Sequence, residues 1–425
     1  MRELAGHDGR SVRLCGWAYD IPPRRPGPEL ICTLRDHTGA VDLAGGGLVD
    51  QPPVAPGSAI EVIGTVAGPP GSATGRRVVV ADRLRVVGPA LGPLPVDAAS
   101  SLDDRLDWRY LDLRRPENRL MLEVQTTVEH AMREWWRRHQ FVELHSPKLR
   151  AMPNQSGREL FTVQYFDGPA YLVQSPQFYK QMAMTAGLDR VFEIGPVFRA
   201  NPLTTARHDT EFTSVDVEVS WIDSHEDVMT LEEQWLRHVI AAVESGHGTE
   251  VERLFGRRVV VPDVPFPRIT LTDARRVLAD SGHRPSGAEG DLDAEGERLL
   301  GAHIAAELGH ELVFVTEYPE TLRPFYHMRV DDESPLTRSF DLLWNGLEVT
   351  TGAQREHRHD RLVAQAGRNP ARVEAIRTYL DFFRYGAPPH GGFGVGLTRV
   401  LMCLLGVGDV REVTFLPRSR NRLTP

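Results

Sequence analysis

Short runs of alternating apolar and polar residues, separated by turn-forming residues, occupy the first part of the chain. Each run has the length and the period of two that are typical of a half-buried β-strand. Proline- and glycine-rich stretches such as PPRRPGP and PPGSATG separate the runs. The runs are SVRLCGWAYD, ELICTLRDHTGAVDL, SAIEVIGTVAG and RRVVVADRLRVVG. Together they predict a small β-barrel over residues 1–97.

The hydrophobic period changes after the barrel. Residues 98–118 are typical of a linker that leads into a helix, and the next residues, LMLEVQTTVEHAMREWWRRHQ, carry apolar side chains at helical spacing. A larger α/β region follows over residues 119–425, with a small insertion at about 243–335 that carries little readable chemistry. The pattern therefore predicts two domains, an N-terminal barrel and a larger domain that holds both helices and strands.

Composition narrows the class of protein. A chain of 425 residues with 41% hydrophobic content can bury a sizeable core, which excludes a wholly disordered protein. No long apolar run and no signal-peptide layout occur, so we expect a cytoplasmic protein with no membrane partner. The three cysteines are too few and too scattered for a disulfide framework or a four-ligand zinc site. A net charge of −9 argues against non-specific coating of nucleic acid, but it allows a local basic patch.

The first segment with readable chemistry is VFEIGPVFRANPLTTARHDTEFTSVDVEVSW. Two strand-like runs flank a loop rich in Thr, Arg and His, which predicts an antiparallel hairpin. Arg199 ends the first run, and Arg207 and His208 precede the second, so three cationic groups meet at one loop, as a polyphosphate requires. A solvated hairpin with surface arginines is the alternative interpretation.

The second segment is SFDLLWNGLEVTTGAQREH. The Asn345-Gly346 pair predicts a hairpin turn between LLW and LEV. Such a turn lets the carboxylates of Asp341 and Glu348 approach each other and hold Mg²⁺ against ATP phosphates. An ordinary hairpin with exposed acids is the alternative.

The third segment is RYGAPPHGGFGVGLTRVLMCLLG. Its glycines, Gly391, Gly392, Gly394 and Gly396, predict close approach of the backbone to a flat ligand. The residues LTRVLMCLLG predict a helix that carries Arg399 in its first turns.

The three segments, in this order, resemble the motifs of aspartyl-tRNA synthetases, which are class II enzymes, in their compact archaeal and eukaryotic form. Motif 1 resembles FVELHSPKL with its proline at Pro147, motif 2 resembles FRANPLTTARHDTEF and motif 3 resembles GFGVGLTRVLM. The stretches YLDLRRPENR, SPQFYKQM, RPFY, TGAQREHRHD and FRYGAPPHGGFG match as well. The resemblance covers essentially the whole chain. It implies an α+β protein with an N-terminal OB-fold barrel and a catalytic domain built on an antiparallel sheet flanked by helices.

The resemblance also implies an activity. The family uses ATP and Mg²⁺ to activate L-aspartate as aspartyl-adenylate and transfers it to tRNA(Asp), with tRNA(Asn) as a second acceptor where anticodon reading is relaxed. Motif 1 implies a homodimer. Arg199 and Arg399 are the implied catalytic residues, and Asp341 and Glu348 the implied metal ligands. The implied ATP site consists of Arg199, Arg207, His208, Phe212, Glu348, Gly396 and Arg399. The implied aspartate site consists of Gln155, Gln177, Lys180, Asp216, Thr351 and Arg355.

The choice of amino acid rests on two cations. By the resemblance, Lys180 and Arg355 hold the side-chain carboxylate, which suits aspartate and leaves the neutral amide of asparagine poorly compensated. Only two of the 49 basic residues are lysine, Lys148 and Lys180, so a retained lysine is informative.

Four positions depart from the family pattern. Gln155 replaces an acid that helps to hold the substrate ammonium, and Asn201 replaces a glutamate near ATP. In the barrel, Ile31 stands where the family has a stacking phenylalanine, and Asp42 stands where it has a glutamine. The barrel changes predict either relaxed anticodon reading or an acceptor other than tRNA.

Two other functions follow from these departures. One is a paralogue that makes an aspartyl or related adenylate for a non-tRNA acceptor. The other is a catalytically inactive binding module. The retained site residues argue against it; they are Arg199, Asp341, Glu348 and Arg399. The discriminating feature is whether residues near Ile31, Arg35 and Asp42 form a base-binding surface.

Overall fold

The computed structural model describes residues 1–21, 30–45, 54–67, 77–151, 160–202, 205–284, 290–367, 373–374 and 376–425. Gln155, a predicted aspartate-site residue, lies outside the described residues. The chain forms two compact units, Met1–Arg119 with Pro425 and Leu120–Thr424. The finer division predicted from the sequence, with its linker and insertion, stays a prediction.

A closed five-stranded barrel forms the first unit, in the strand order β1-β2-β3-β5-β4. Its strands are Ser11–Tyr19 (β1), Leu30–Asp36 (β2), Gly39–Ala44 (β3), Ala59–Val66 (β4) and Val78–Gly88 (β5). Alternate side chains point inward, so Val41 and Leu43 of one strand and Ile60 and Val62 of another meet in the barrel core. The predicted N-terminal barrel is confirmed.

Three helices follow the barrel strands. The first two, Leu102–Asp107 (α1) and Arg109–Asp112 (α2), lie within the residues predicted to be a linker. The third, Pro116–Arg138 (α3), begins at a proline, which has no N–H to leave unsatisfied in a first turn.

The second unit is built on an eight-stranded sheet, in the order β12-β13-β14-β15-β16-β11-β10-β6. The neighbours from β13 to β10 are antiparallel, and only the outermost pairs are parallel. The strands are Val142–Glu143 (β6), Arg190–Phe198 (β10), Glu211–Ser220 (β11), Arg268–Thr270 (β12), Leu312–Thr316 (β13), Ser339–Trp344 (β14), Leu347–Gln354 (β15) and His390–Gly396 (β16). A small separate sheet contains Leu149–Arg150 (β7), Thr162–Tyr165 (β8) and Gly168–Leu172 (β9).

Helices flank this large sheet, and α3 contributes to the same core. The others are Gln177–Thr185 (α4), His225–Phe255 (α5), Leu271–Asp280 (α6), Ala294–Leu308 (α7), His359–Ala366 (α8), Arg377–Phe382 (α9) and Leu397–Leu405 (α10). The Trp235 ring of α5 lies 5.0 Å from that of Trp136 in α3 and 5.6 Å from Phe393 of the sheet. Burial of each such side chain contributes about 1.5–3 kcal/mol, which fixes the helices on the sheet. The predicted α+β class is confirmed. Within the described residues, no helix is long and apolar enough to cross a bilayer.

Glu232 of α5 gives the fold a testable pH dependence. It is fully buried, and the Thr350 hydroxyl is the neighbouring group that favours its ionised form. Burial raises the pKa of Glu232 from 4.5 to about 8, and the carboxylates of Glu233 and Asp341 add to the rise. Between these two values the folded protein keeps a proton that the unfolded chain has released. The free energy of unfolding therefore falls as the pH rises from 4.5 to 8.

We expect Glu232→Gln to remove this fall in the free energy of unfolding at high pH, because glutamine has a similar shape and no proton to release. The thermal unfolding midpoint should rise by roughly 3 °C or more at pH 8 and change little at pH 5. Glu233→Gln is the matched control. It removes a carboxylate that pairs with Arg268 and accepts from the Phe266 N–H, so it should lower the midpoint at both pH values. An equal effect of Glu232→Gln at the two pH values would contradict the buried-proton account.

Candidate active site

A cavity of about 590 Å³ opens in the second unit. Most residues predicted from the sequence to form the ATP, metal and aspartate sites line it. They are Gln177, Arg199, Arg207, His208, Phe212, Asp216, Asp341, Glu348, Thr351, Arg355, Gly396 and Arg399. Lys180 does not line the cavity, and it is only 4% exposed. The antiparallel sheet thus brings together side chains as far apart in the sequence as Gln177 and Arg399.

The predicted hairpin with the polar loop is β10 and β11, and it positions one cation over an aromatic ring. Val197 pairs with Phe212 across the hairpin, and the Arg199 N–H donates to the Thr210 carbonyl just beyond the strand ends. This register sets the Arg199 guanidinium 5.2 Å from the centre of the Phe212 ring. A cation and an aromatic face therefore share one wall of the cavity.

Carboxylates accompany the other two predicted ATP-site arginines. Arg399 donates to the Glu348 carbonyl at 2.6 Å, lies 3.2 Å from a Glu348 carboxylate oxygen and contacts His208 at 3.2 Å. Arg207 pairs with Glu297 of α7 at 2.7 Å. Burial and the nearby Glu348 raise the pKa of Glu297 to about 7. In this part of the cavity each arginine is paired with a carboxylate. An entering polyanion would compete with these carboxylates for the arginines.

The predicted acid pair lies on the β14–β15 hairpin. Asn345 and Gly346 form its turn with positive φ angles of 49° and 75°, as the sequence predicts. The register shifts beside this turn, because Leu342 pairs with Thr350 and Leu343 with Glu348. This leaves Val349 as an extra residue in β15, and Asp341 and Glu348 both line the cavity. Burial and the charge of Asp341 raise the pKa of Glu348.

The acid pair has the donor set of a magnesium site. One oxygen of Asp341 accepts from Arg323 at 2.5 Å, while the other is buried with no hydrogen-bond partner among the described residues. Mg²⁺ prefers one or two carboxylates together with phosphate oxygens, and this cavity wall offers two carboxylates. The residues therefore fit this ion.

A compact group of four charges lies at the cavity wall, where Asp216 and Arg355 line the cavity. Arg355 pairs with Glu218 at 2.9 Å, and Lys180 lies 3.2 Å from Asp216 and 3.3 Å from Glu218. Burial opposes the ionisation of Glu218, but Arg355 and Lys180 outweigh it and lower the pKa of that carboxyl group. Lys180 also donates to two strand carbonyls, those of Val217 and Phe393. The two cations and two carboxylates sum to zero charge, so one further carboxylate and one ammonium leave the group balanced.

The sequence predicts that four glycines let the backbone approach a ligand, and this prediction is wrong for Gly391 and Gly392. A Cβ at Gly392 would lie 2.0 Å from the Val217 carbonyl, and one at Gly391 would lie 2.8 Å from the Ala353 carbonyl. These glycines permit close packing of β16 against its neighbours in the sheet. Gly394 and Gly396 do line the cavity.

A family model described as tRNA synthetases class II (D, K and N) matches residues 101–420. The chain belongs to this family. A relative from Aeropyrum pernix named aspartate–tRNA(Asp/Asn) ligase is 42% identical over 98% of this chain and 96% of its own. A Pyrococcus abyssi relative named aspartate–tRNA(Asp) ligase is 39% identical over 98% and 97%.

Solved structures of class II synthetases agree with this placement. A putative aspartyl-tRNA synthetase from Leishmania major is 27% identical and covers 100% of this chain and 94% of its own, with a TM-score of 0.87. An asparaginyl-tRNA synthetase from Pyrococcus horikoshii, in complex with asparaginyl-adenylate, is 29% identical over 99% and 97%, with a TM-score of 0.88.

Several residues at the cavity of this class II synthetase lie in a segment that the sequence did not mark as functional. The segment at about 243–335 was expected to carry little chemistry, but Asp291, Arg323 and His327 line the cavity and Glu297 pairs with Arg207. The predicted start of that insertion, residue 243, also lies inside α5. The RPFY stretch pointed to Arg323, whereas nothing in the local sequence marked Glu297. Helix packing, not sequence proximity, brings Glu297 to the site.

The barrel of this synthetase corrects one expectation. Asp42 does not lie on an exposed surface: it is 1% exposed and accepts a hydrogen bond from the Thr33 hydroxyl at 3.1 Å. Ile31 packs against the barrel core. Arg35, on the same strand as Ile31, is half-buried, and its guanidinium lies 4.7 Å from the centre of the Tyr19 ring. An aromatic ring is therefore present on this face of the barrel, though at a different position from the family's phenylalanine.

Proposed function

We propose that this protein is an aspartate–tRNA ligase that activates L-aspartate with ATP and transfers it to tRNA(Asp) and also to tRNA(Asn). One observation carries the proposal. A single cavity holds arginines suited to a polyphosphate, an acid pair suited to Mg²⁺ and, at its wall, a charge-balanced group suited to a dicarboxylic amino acid. The relatives' names support the amino acid, and the names that print tRNA(Asp/Asn), such as that of the Aeropyrum pernix relative, support the pair of acceptors.

In this proposal, ATP binds along the cation-rich wall. Adenine stacks on Phe212, Arg199 contacts the α-phosphate, and Arg399, Arg207 and His208 meet the terminal phosphates. Each guanidinium already lies against a carboxylate or an aromatic face, so the phosphates exchange one partner for another. Asn201, where a glutamate is usual, lines the same cavity.

The activation step needs no proton transfer. A carboxylate oxygen of aspartate attacks the α-phosphorus, the bond to the bridging oxygen breaks, and pyrophosphate leaves with the electron pair. Negative charge builds on the phosphorus oxygens, where Arg199 stabilises it more in the transition state than in the bound substrate. A nucleophilic side chain is therefore unnecessary.

Mg²⁺ would be held by Asp341 and Glu348 and would neutralise charge on the departing phosphates. We expect Asp341→Asn and Glu348→Gln each to raise the Mg²⁺ concentration for half-maximal exchange by about tenfold or more, because each removes an anionic ligand. Titration of Mg²⁺ in the ATP–pyrophosphate exchange assay measures this. Glu317→Gln is a control on a residue outside the cavity lining. An unchanged metal requirement in both variants would count against the metal assignment.

Aspartate would bind at the charge-balanced group. Its ammonium pairs with Asp216, whose second oxygen accepts from the Ser214 hydroxyl at 2.6 Å. Its side-chain carboxylate lies near Arg355, with Lys180 supplying positive charge from behind the wall. Gln177 and Thr351 complete the pocket.

The deciding experiment is ATP–pyrophosphate exchange with a panel of amino acids, followed by aminoacylation of tRNA(Asp) and tRNA(Asn). Exchange should depend on aspartate and far less on asparagine, and both tRNAs should be charged. Strong exchange without charging of any tRNA would instead identify a non-tRNA acceptor. Sedimentation of the protein tests the homodimer that motif 1 implies.

Tyr19 offers a test of tRNA binding by the barrel. We expect Tyr19→Ala to lower kcat/KM for tRNA charging by about tenfold, because base stacking on an aromatic ring contributes about 1–3 kcal/mol. Tyr19→Phe keeps the ring and should charge normally. Aspartate-dependent exchange, which requires no tRNA in this proposal, should be equal in the two variants. Unimpaired charging by Tyr19→Ala would remove this face of the barrel from tRNA recognition.

A further inference from the structure

The guanidinium of Arg355 is held on several sides by the protein. Nε–H donates to one Glu218 oxygen at 2.9 Å, and Nη2 donates to the other at 3.4 Å and to the Gly392 carbonyl at 2.8 Å. Nη1 donates to His327 Nε2 at 3.0 Å. One N–H at Nε, two at Nη2 and one at Nη1 are thus engaged, and a single N–H on Nη1 is left for a ligand.

His327 is an uncharged acceptor in this arrangement. It is 3% exposed and lines the cavity. Burial lowers the pKa of His327 well below 6.5, and the positive charge of Arg355 adds to the effect. Because Nε2 accepts a hydrogen bond from Arg355, the single ring proton lies on Nδ1, which has no hydrogen-bond partner among the described residues.

An uncharged acceptor at this position has a specific consequence. Glu218 and the Gly392 carbonyl contact only the Nε and Nη2 side of the rigid, planar guanidinium. A contact at Nη1 restrains the remaining tilt about that side and so fixes the direction of the free N–H. A carboxylate there would fix it too, but would make the balanced group of Arg355, Lys180, Asp216 and Glu218 net negative. Imidazole fixes the direction and leaves the charge unchanged.

We propose that His327 is a positioning residue for amino-acid selection: it holds Arg355 so that the remaining Nη1–H points at the side-chain carboxylate of the substrate. The inference rests on the proposed function and adds a residue that the sequence did not single out. His327 acts through Arg355, and its contribution appears in the affinity for aspartate.

Substitution of His327 by Gln or by Asn distinguishes the roles of its two ring nitrogens. The Gln side chain can place its oxygen near the position of Nε2, whereas the shorter Asn side chain reaches only the position of Nδ1. We expect His327→Leu and His327→Asn to raise KM for aspartate by about tenfold or more, since a hydrogen bond to a charged group is lost. His327→Gln should remain within about threefold of the native enzyme. KM for ATP should change little in all three.

The assay is aspartate-dependent exchange, with calorimetric titration of aspartate and thermal unfolding of every variant. His238→Leu, which removes another histidine of lowered pKa but lies outside the cavity lining, should leave KM for aspartate unchanged. Native KM values in the Leu and Asn variants would overturn the inference. A native KM for aspartate in His327→Asn together with a raised KM in His327→Gln would also overturn the inference, because Nδ1 would then be the contributing atom. Absence of aspartate-dependent exchange in the native enzyme would instead overturn the proposed function itself.

Discussion

Arg199→Ala lowers aspartate-dependent ATP–pyrophosphate exchange by about 10³-fold, with the loss mainly in kcat. The side chain lines the cavity beyond the end of β10, where it stacks on Phe212. In the transition state the α-phosphorus oxygens gain charge, and a guanidinium aimed at them stabilises that charge more than it stabilises bound ATP. We expect Arg399→Ala to act in the same direction, through the terminal phosphates.

The matched control for this prediction is Arg190→Ala at the opposite end of the same strand. Arg190 is exposed, and its guanidinium donates to the His139 carbonyl at 3.1 Å, away from the cavity. Exchange by that variant should equal native exchange. Thermal unfolding of both variants separates a lost contact from a lost fold. Near-native exchange by Arg199→Ala would remove this residue from the ATP site.

Arg355→Leu gives the second large effect, a fall of about 10³-fold in kcat/KM for aspartate. The fall in kcat/KM for asparagine should be far smaller, because a neutral amide is attracted only weakly to a guanidinium. Lys180→Met should shift the ratio in the same direction, since the long-range attraction for a carboxylate falls when one of two cations is removed. Exchange kinetics with the two amino acids give the ratio directly.

Arg355→Leu also affects the stability of the fold, so its effect on activity needs matched controls. Arg355→Leu leaves buried Glu218 paired with Lys180 alone, and breaking a buried ion pair costs about 3–5 kcal/mol of stability. Arg355→Lys is therefore the companion variant: it keeps the charge but lacks the planar fork, and it should also lose preference for aspartate. Arg358→Leu changes a neighbouring arginine that pairs with Glu356 and should leave the preference intact. Equal losses for aspartate and asparagine would mean that Arg355 serves the fold.

The two hairpins show how far local sequence reasoning reaches. The turn at Asn345-Gly346 and the pairing of β10 with β11 were predicted because turn residues and strand periodicity act over a few residues. The type of chemistry was also readable, since arginines beside an acid pair suit few ligands other than a nucleotide with its metal. The family resemblance then supplied roles for single residues, and those roles stay proposals.

Asp42 shows where such reasoning fails. The resemblance places it beside an expected base-binding surface, but whether a strand residue is covered depends on segments that pack over it from elsewhere in the chain. The close approach of Thr33 and the burial of Asp42 are properties of the assembled barrel. Gly391 and Gly392 are similar, because their neighbours belong to adjacent strands of the sheet.

The sequence by itself determined the element types, the barrel-plus-sheet architecture and the chemical character of the cavity, because periodicity, turn residues and motif order are encoded locally. Tertiary structure alone decided which polar and charged side chains meet. It brought Glu297 of α7 to Arg207, Arg323 to Asp341 and His327 to Arg355. Those pairings depend on strand register and helix packing between segments far apart in the chain, and burial then makes each interaction strong enough to shift a pKa or fix a guanidinium.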